Sequence, residues 1–158
     1  MIIEQDEHFM RRAIELAAAV DPKQTDPNPR VGCVIVLDGE IIAEGAHQQD
    51  GGPHAEVAAF HALGERKVVS ATLYVTLEPC STPGRTGACT DVIIRSGMIQ
   101  RVVFGDLDPN PAHRGHAEEV LAAAGIEVES NCLQKLCSDL NPEFYRRMQN
   151  IDSRIKPA

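Results

Sequence analysis

Two β-branched, apolar runs, Val31 to Leu37 and Glu40 to Ala46, are joined by nothing but Asp38-Gly39. That dipeptide adopts the positive φ values of a two-residue turn at little cost, so the runs must fold back on each other as an antiparallel hairpin. Beyond the hairpin the pattern changes. His54 to Leu63 is Ala-rich, has a helical period and stops at Gly64, and Thr72 to Leu77 reads as a strand. Cys89 to Ser96 reads as a helix closed by Gly97, Arg101 to Gly105 as a strand, His116 to Ala124 as a helix closed by Gly125, and Ile126 to Glu129 as a strand. Alternation of this kind implies parallel strands with helical crossovers. The expected fold class is α/β, with a mixed sheet that opens with the antiparallel hairpin.

Before the hairpin, Phe9, Met10, Ala13, Ile14, Ala17 and Val20 put one apolar stripe on a helix from Glu7 to Val20. Asp21-Pro22 and Asp26-Pro27-Asn28-Pro29 then predict a stiff, extended loop, because each proline removes a donor and biases its predecessor away from helical dihedrals. Cys132 to Gln149 predicts a final helix, broken near Pro142. Residues 1–150 are expected to form one domain and 151–158 a frayed tail.

The chain has 158 residues, 15 Lys plus Arg against 23 Asp plus Glu, and a formal charge of −8. This acidic balance argues against a polynucleotide partner held through its phosphates, and only 4% aromatic residues leave few platforms on which bases could stack. A small molecule is the expected partner. No apolar run approaches a membrane span, and the acidic start Met1-Ile2-Ile3-Glu4-Gln5-Asp6-Glu7 is unlike a secretory leader, so the expected location is cytoplasmic. In a reducing compartment the five cysteines read as thiols or metal ligands. Cys33, Cys132 and Cys137 are expected to be small buried hydrophobes, and His8, His61 and His116 ordinary histidines.

His54, Cys80 and Cys89 read differently. His54 opens one expected helix, and Cys80 and Cys89 bracket the entry to the next, where partial positive charge favours the thiolate form; one His with two Cys is a recognised catalytic zinc set that leaves a fourth position open. Thiolates favour Zn²⁺ over Mg²⁺ or Ca²⁺. Glu56, two residues after His54, is placed to take a proton from an attacking water whose pKa zinc lowers to about 7, and to pass it to a ring nitrogen and a departing amine. H-x-E followed by P-C-x-x-C is the signature of zinc-dependent nucleobase deaminases, and His54-Ala55-Glu56 with Pro79-Cys80 fits it. The second cysteine does not, since eight residues separate Cys80 from Cys89. Pro83, Gly84 and Gly87 allow the intervening segment to loop out, and its Arg85 and Thr86 suit contact with a phosphate. A zinc-protease helix is excluded, because the position four after His54 is Ala58.

Several segments together resemble one family. Asp26-Pro27-Asn28-Pro29-Arg30-Val31-Gly32-Cys33-Val34-Ile35-Val36, Gly45-Ala46-His47, Gly52-Pro53-His54-Ala55-Glu56-Val57, Thr76-Leu77-Glu78-Pro79-Cys80-Ser81, Gly84-Arg85-Thr86 with Cys89, and Asp108-Pro109-Asn110-Pro111 are similar to the deaminase domain of the riboflavin-biosynthesis deaminase/reductases. The likeness runs from about Asp6 to Met148 and includes Leu140-Asn141 and Phe144, and the eight-residue gap is that family's own variant. It implies a three-layer α/β/α cytidine-deaminase-like fold and hydrolytic deamination of diaminohydroxyphosphoribosylaminopyrimidine. It also implies a homo-oligomer and a substrate pocket lined by Asn28, His47, Asp108 and Asn110. With about ten residues after Met148, the family's reductase half and its NADPH site are not expected. The chain departs from the family's usual Ser-His and Pro-Pro at Ser81-Thr82 and Gly87-Ala88. Deamination of another free base, nucleoside or nucleotide, such as cytosine, guanine, cytidine or dCMP, is the alternative. A structural zinc module is the competing class, and it would require a fourth protein ligand.

Overall fold

The computed structural model describes residues 1–81 and 88–155. In chain order the elements are α1 (Glu4–Ala18), α2 (Pro22–Thr25), β1 (Gly32–Leu37), β2 (Glu40–Ala46), α3 (Ala55–Leu63), β3 (Ala71–Leu77), α4 (Cys89–Ser96), β4 (Ile99–Asp106), α5 (His116–Ala123), β5 (Glu127–Glu129), α6 (Gln134–Ser138) and α7 (Pro142–Ile155). Among the described residues the strands form one sheet in the order β2-β1-β3-β4-β5. β1 pairs antiparallel with both β2 and β3, while β3–β4 and β4–β5 are parallel, so the sheet is mixed and opens with the hairpin. Asp38 and Gly39 turn it with φ of 51° and 79°, the doubly positive pair that the tight connection requires.

Strand residues alternate between two apolar layers. Cys33, Ile35, Leu73, Val75, Val102 and Phe104 face Ala55, Ala59 and Leu63 of α3, Ile93 of α4 and Leu121 of α5. Val34, Val36, Tyr74 and Val103 face Phe9, Met10 and Ala13 of α1, with Cys132 and Cys137. Helices thus cover both faces of the sheet, giving the three α/β/α layers. Burial on both sides explains why β1 and β4 read as continuous apolar runs. Cys33, Cys132 and Cys137 are buried, as expected of small hydrophobes.

Three local expectations change. α1 begins at Glu4, three residues early, because the Asp6 carboxylate accepts the Ile3 N–H at 3.0 Å and caps the helix start. The loop expected around Pro22 contains the short helix α2: Asp21 accepts the Lys23 N–H at 2.9 Å and Pro22 occupies the first turn, where its missing donor costs nothing. The final helix divides into α6 and α7 at Pro142, as expected, but the second continues past Gln149 through Ile155. Among the described residues no helix is long and apolar enough to cross a membrane.

Asp6 also ties α1 to the sheet. It accepts from the Tyr74 hydroxyl at 2.8 Å and from both terminal nitrogens of Arg101 at 2.7 and 2.9 Å. Burial alone would raise its pKa, but the hydrogen bonds from Arg101, the Ile3 N–H and Tyr74 outweigh it and hold the carboxyl below its ordinary value. Because the folded-state pKa is the lower one, the ionised group stabilises the fold above about pH 4 and that contribution is lost as pH falls through the folded-state value. Asp6→Asn should therefore cost about 3 kcal/mol near neutrality and progressively less in acid, measured by urea denaturation between pH 3 and 7.

Candidate active site

The parallel strands β3 and β4 leave the sheet side by side at their carboxyl ends, and the helices α3 and α4 begin beside them. His54 is the residue before α3, Glu56 lies in the first turn of α3, and Cys89 is the first residue of α4. Cys80 follows β3 by three residues. Packing this close depends on Gly45 in β2, where a Cβ would stand 2.4 Å from the Ala59 nitrogen and 2.6 Å from the Ala55 oxygen. The backbone of α3 therefore rests directly on the strand.

His54 Nδ1 lies 3.3 Å from Cys89 Sγ and 3.6 Å from Cys80 Sγ, and the three ligand atoms all lie within 4.8 Å of one another. Adjacent vertices of a zinc tetrahedron with ordinary Zn–S and Zn–N bonds are about 3.5–3.8 Å apart, so the set could hold such an ion. The cluster among the described residues comprises three groups and no fourth, the composition of an open site and not of a closed structural one.

The electrostatics point the same way. The Cys89 N–H donates to Cys80 Sγ at 3.1 Å. A hydrogen bond from the Cys89 side chain, against the opposing effect of burial, pulls the Cys80 thiol down to about 4. Cys89 moves the other way, raised by its bond to Cys80, by burial and by Glu56. One thiolate forms readily and the second is resisted by the first, an arrangement that a dication relieves. Burial, then the charge of Cys80, pushes the Glu56 carboxyl up to about 7. Glu56 is buried with only 4% of its surface exposed.

A cleft of about 720 Å³ opens over these groups, and its walls include Asn28, His47, Asp108 and Asn110. Asn28 donates its side-chain N–H to Asp50 at 2.8 Å on one rim. The buried His47 bonds Pro53 O through Nδ1 at 2.9 Å, stacks edge-on to His54 with ring centres 5.5 Å apart, and has no partner for Nε2 among the described residues. Asp108 and Asn110 accept the backbone N–H groups of Asn110 and Ala112 at 2.9 and 3.0 Å, so their local turns are self-bonded while their side chains line the cleft. Burial raises the Asp108 pKa. Arg85 and Thr86, expected to meet a phosphate, lie outside the described residues.

Sequence reasoning missed four features of this cleft. His113, Arg147 and Met148 line it, and Glu78 anchors its far wall. Arg147 donates to Asp26 Oδ1 at 3.1 Å and to Pro27 O at 2.7 Å, which clamps α7 over the Asn28 loop. Asn141 closes the same corner, accepting the Arg30 N–H at 2.6 Å and donating to Arg30 O at 2.9 Å. None of these pairs has a short-range sequence signal, although the amphipathic pattern of α7 could have marked one face as buried.

Known proteins agree with this architecture. The family described as cytidine and deoxycytidylate deaminase zinc-binding region matches residues 3–106. The riboflavin biosynthesis protein RibD of Escherichia coli is 49% identical over 145 residues, covering 92% of this chain and 39% of that protein. The diaminohydroxyphosphoribosylamino-pyrimidine deaminase of Buchnera aphidicola is 44% identical over 144 residues, covering 91% of this chain and 96% of that protein. The solved structure of Acinetobacter baumannii RibD superposes with a TM-score of 0.86 at 44% identity, over 92% of this chain and 40% of that one. The chain belongs to the cytidine and deoxycytidylate deaminase family, and within it is similar to the RibD deaminase region. It spans about two fifths of the RibD proteins it matches.

The contact at Gly45 is testable. Gly45→Ala should lower stability by roughly 2 kcal/mol through overpacking, and because α3 carries Glu56 and follows directly on His54 it should also weaken metal retention. Denaturation midpoints and metal content per chain would check both.

Proposed function

We propose that this chain hydrolyses the exocyclic amine of diaminohydroxyphosphoribosylaminopyrimidine to ammonia, with zinc held by His54, Cys80 and Cys89 and with Glu56 as the proton carrier. The observation that carries the reading is the meeting of three ligand atoms, within 4.8 Å of one another, with a buried carboxylate under an open cleft. The substrate is supported by the Buchnera relative, which bears that compound's name and is matched along 96% of its length.

Zinc at this position would supply Lewis acidity, making water a nucleophile near neutral pH. The protein's own groups do the rest. Glu56, shielded from bulk water, would carry one proton from the attacking water to the ring nitrogen and then a second, from the hydroxyl that the ring carbon has gained, to the departing amine. His47 offers its Nε2, which has no partner among the described residues, to the substrate, and Asn28 offers an amide with both donor and acceptor. Asp108 and Asn110 form the opposite wall, while Arg85 and Thr86 are the proposed contacts for the phosphate. Excluding water strengthens each of these polar contacts. The assembly is proposed to be a homo-oligomer in the cytoplasm.

Zinc-loaded protein incubated with this pyrimidine and with cytosine, guanine, cytidine and dCMP should release ammonia from the first. Activity confined to one of the others would reassign the substrate while keeping the chemistry. Glu56→Gln should keep one zinc per chain and lose about 10³-fold in kcat, and Cys80→Ser should lose the metal. A Glu56→Gln variant as fast as wild type would overturn the proton-carrier role.

A further inference from the structure

Residues 107–115, between β4 and α5, carry Asp108, Asn110 and His113 to the cleft and contain no helix or strand. Backbone N–H groups in such a segment need acceptors from elsewhere. Several are met by one side chain. Glu78 Oε1 accepts the N–H groups of Asp108 and Gly115, each at 3.0 Å, and Oε2 accepts that of Ala117, in the first turn of α5, at 3.0 Å. The Glu78 N–H in turn donates to Asp106 O at 2.8 Å, extending the β3–β4 pairing beyond the strand. Glu78 is 5% exposed and stands two residues before Cys80, whose carbonyl accepts the Thr90 N–H of α4 at 3.1 Å. Hydrogen bonds at its two ends thus let the backbone segment from Glu78 to Cys80 connect the start of α4 to the wall that bears Asp108, Asn110 and His113.

We propose that Glu78 is a positioning residue: its carboxyl sets the Asp108–His113 wall at the separation from the His54-Cys80-Cys89 group at which one amine-bearing heterocycle can touch both. Only a carboxyl meets the requirement. Both of its oxygens accept, so three backbone donors are satisfied at once. A Gln keeps one accepting oxygen and turns an NH₂ toward the remaining donor, and an Ala leaves all three N–H groups unmet. Because both oxygens are spent on backbone donors, Glu78 acts through the wall and not on the reacting atoms. The identity of the heterocycle rests on the proposed function; the positioning role does not.

The test compares Glu78→Ala and Glu78→Gln with Asp6→Asn, which disturbs another buried carboxyl network whose members, Asp6, Tyr74 and Arg101, do not line the cleft. Zinc per chain, amide hydrogen exchange, and ammonia release from diaminohydroxyphosphoribosylaminopyrimidine are measured on each. Both Glu78 variants should keep one zinc. Glu78→Ala should raise KM at least tenfold with kcat within threefold, Glu78→Gln should raise KM less, and Asp6→Asn should leave KM unchanged. Exchange should quicken at Asp108, Gly115 and Ala117 in Glu78→Ala, and chiefly at Ala117 or its neighbours in Glu78→Gln. Unchanged KM, loss of zinc in step with KM, or an equal rise in Asp6→Asn would overturn the proposal. If Glu78→Ala fails to fold, Glu78→Gln decides by the same criteria. Should wild type release no ammonia from this pyrimidine, the functional reading fails separately. Zinc content and exchange then decide: retained zinc with freed amides supports the positioning role, and lost zinc or still-protected amides overturns it.

Discussion

One half-buried and one buried cysteine, Cys80 and Cys89, share a small volume with the buried carboxyl of Glu56, and their negative charges disfavour one another. Cys80 draws its stabilisation from Cys89, and Cys89 is disfavoured as an anion by the same contact. Glu56 adds a third acidic group under the same cleft. Helix N-termini supply partial positive charge, but their effect is limited to about one turn and amounts to a kcal/mol or so. The remaining imbalance is one that a dication held by His54, Cys80 and Cys89 would relieve. The fold must hold these acidic groups together against their mutual repulsion.

Holding it together falls to close backbone packing more than to large side chains. With only 4% aromatic residues, the core cannot be wedged apart by rings. Glycine and alanine let the layers approach instead. Gly45 brings α3 onto β2, and Gly32 does the same on the other face, where a Cβ would stand 2.0 Å from the Ala13 oxygen of α1. Small residues at these crossings bring His54 and Glu56 within reach of the cysteines. The rigidity follows from interlocking backbone, with few side-chain rotamers to adjust.

Local chemistry explains which parts of this arrangement were legible in the sequence. The hairpin was, because Asp38-Gly39 has a strong preference and β2 spans the residues that its pattern marks. α4 was equally plain, since Gly97 ends it in a left-handed conformation with φ of 66°. The metal-ligand candidates were legible as residue types near helix starts, although only folding brings His54 to sulfurs 26 and 35 residues away in the chain. α2 was not, because Pro22 and Asp21 serve equally as breakers and as a helix start, and four residues carry no periodicity. Glu78 was invisible as a structural anchor for a different reason: its acceptors are used by donors 30 to 39 residues away, and no local pattern encodes that.

Strand direction explains why the His54-Cys80-Cys89 group and the wall bearing Asp108 and Asn110 lie together at all. β3 and β4 are neighbours in the sheet and run parallel, so both release their chains at the same edge. β3 delivers Glu78 and Cys80 there, and β4 delivers Asp106, Asp108 and Asn110. Had the pair been antiparallel, the segment after β4 would have emerged at the opposite end of the sheet, a strand length away. Parallel pairing requires a crossover, and α4 is that crossover, so its first residue, Cys89, stands at the edge where β3 ends, beside Cys80. The antiparallel hairpin then adds β1 and β2 on the other side of β3, leaving His47 at the end of β2 and the Asn28 loop before β1 at that edge too. One topological choice, the parallel β3–β4 pair flanked by an antiparallel β1, gathers sequence-distant groups around a single cleft.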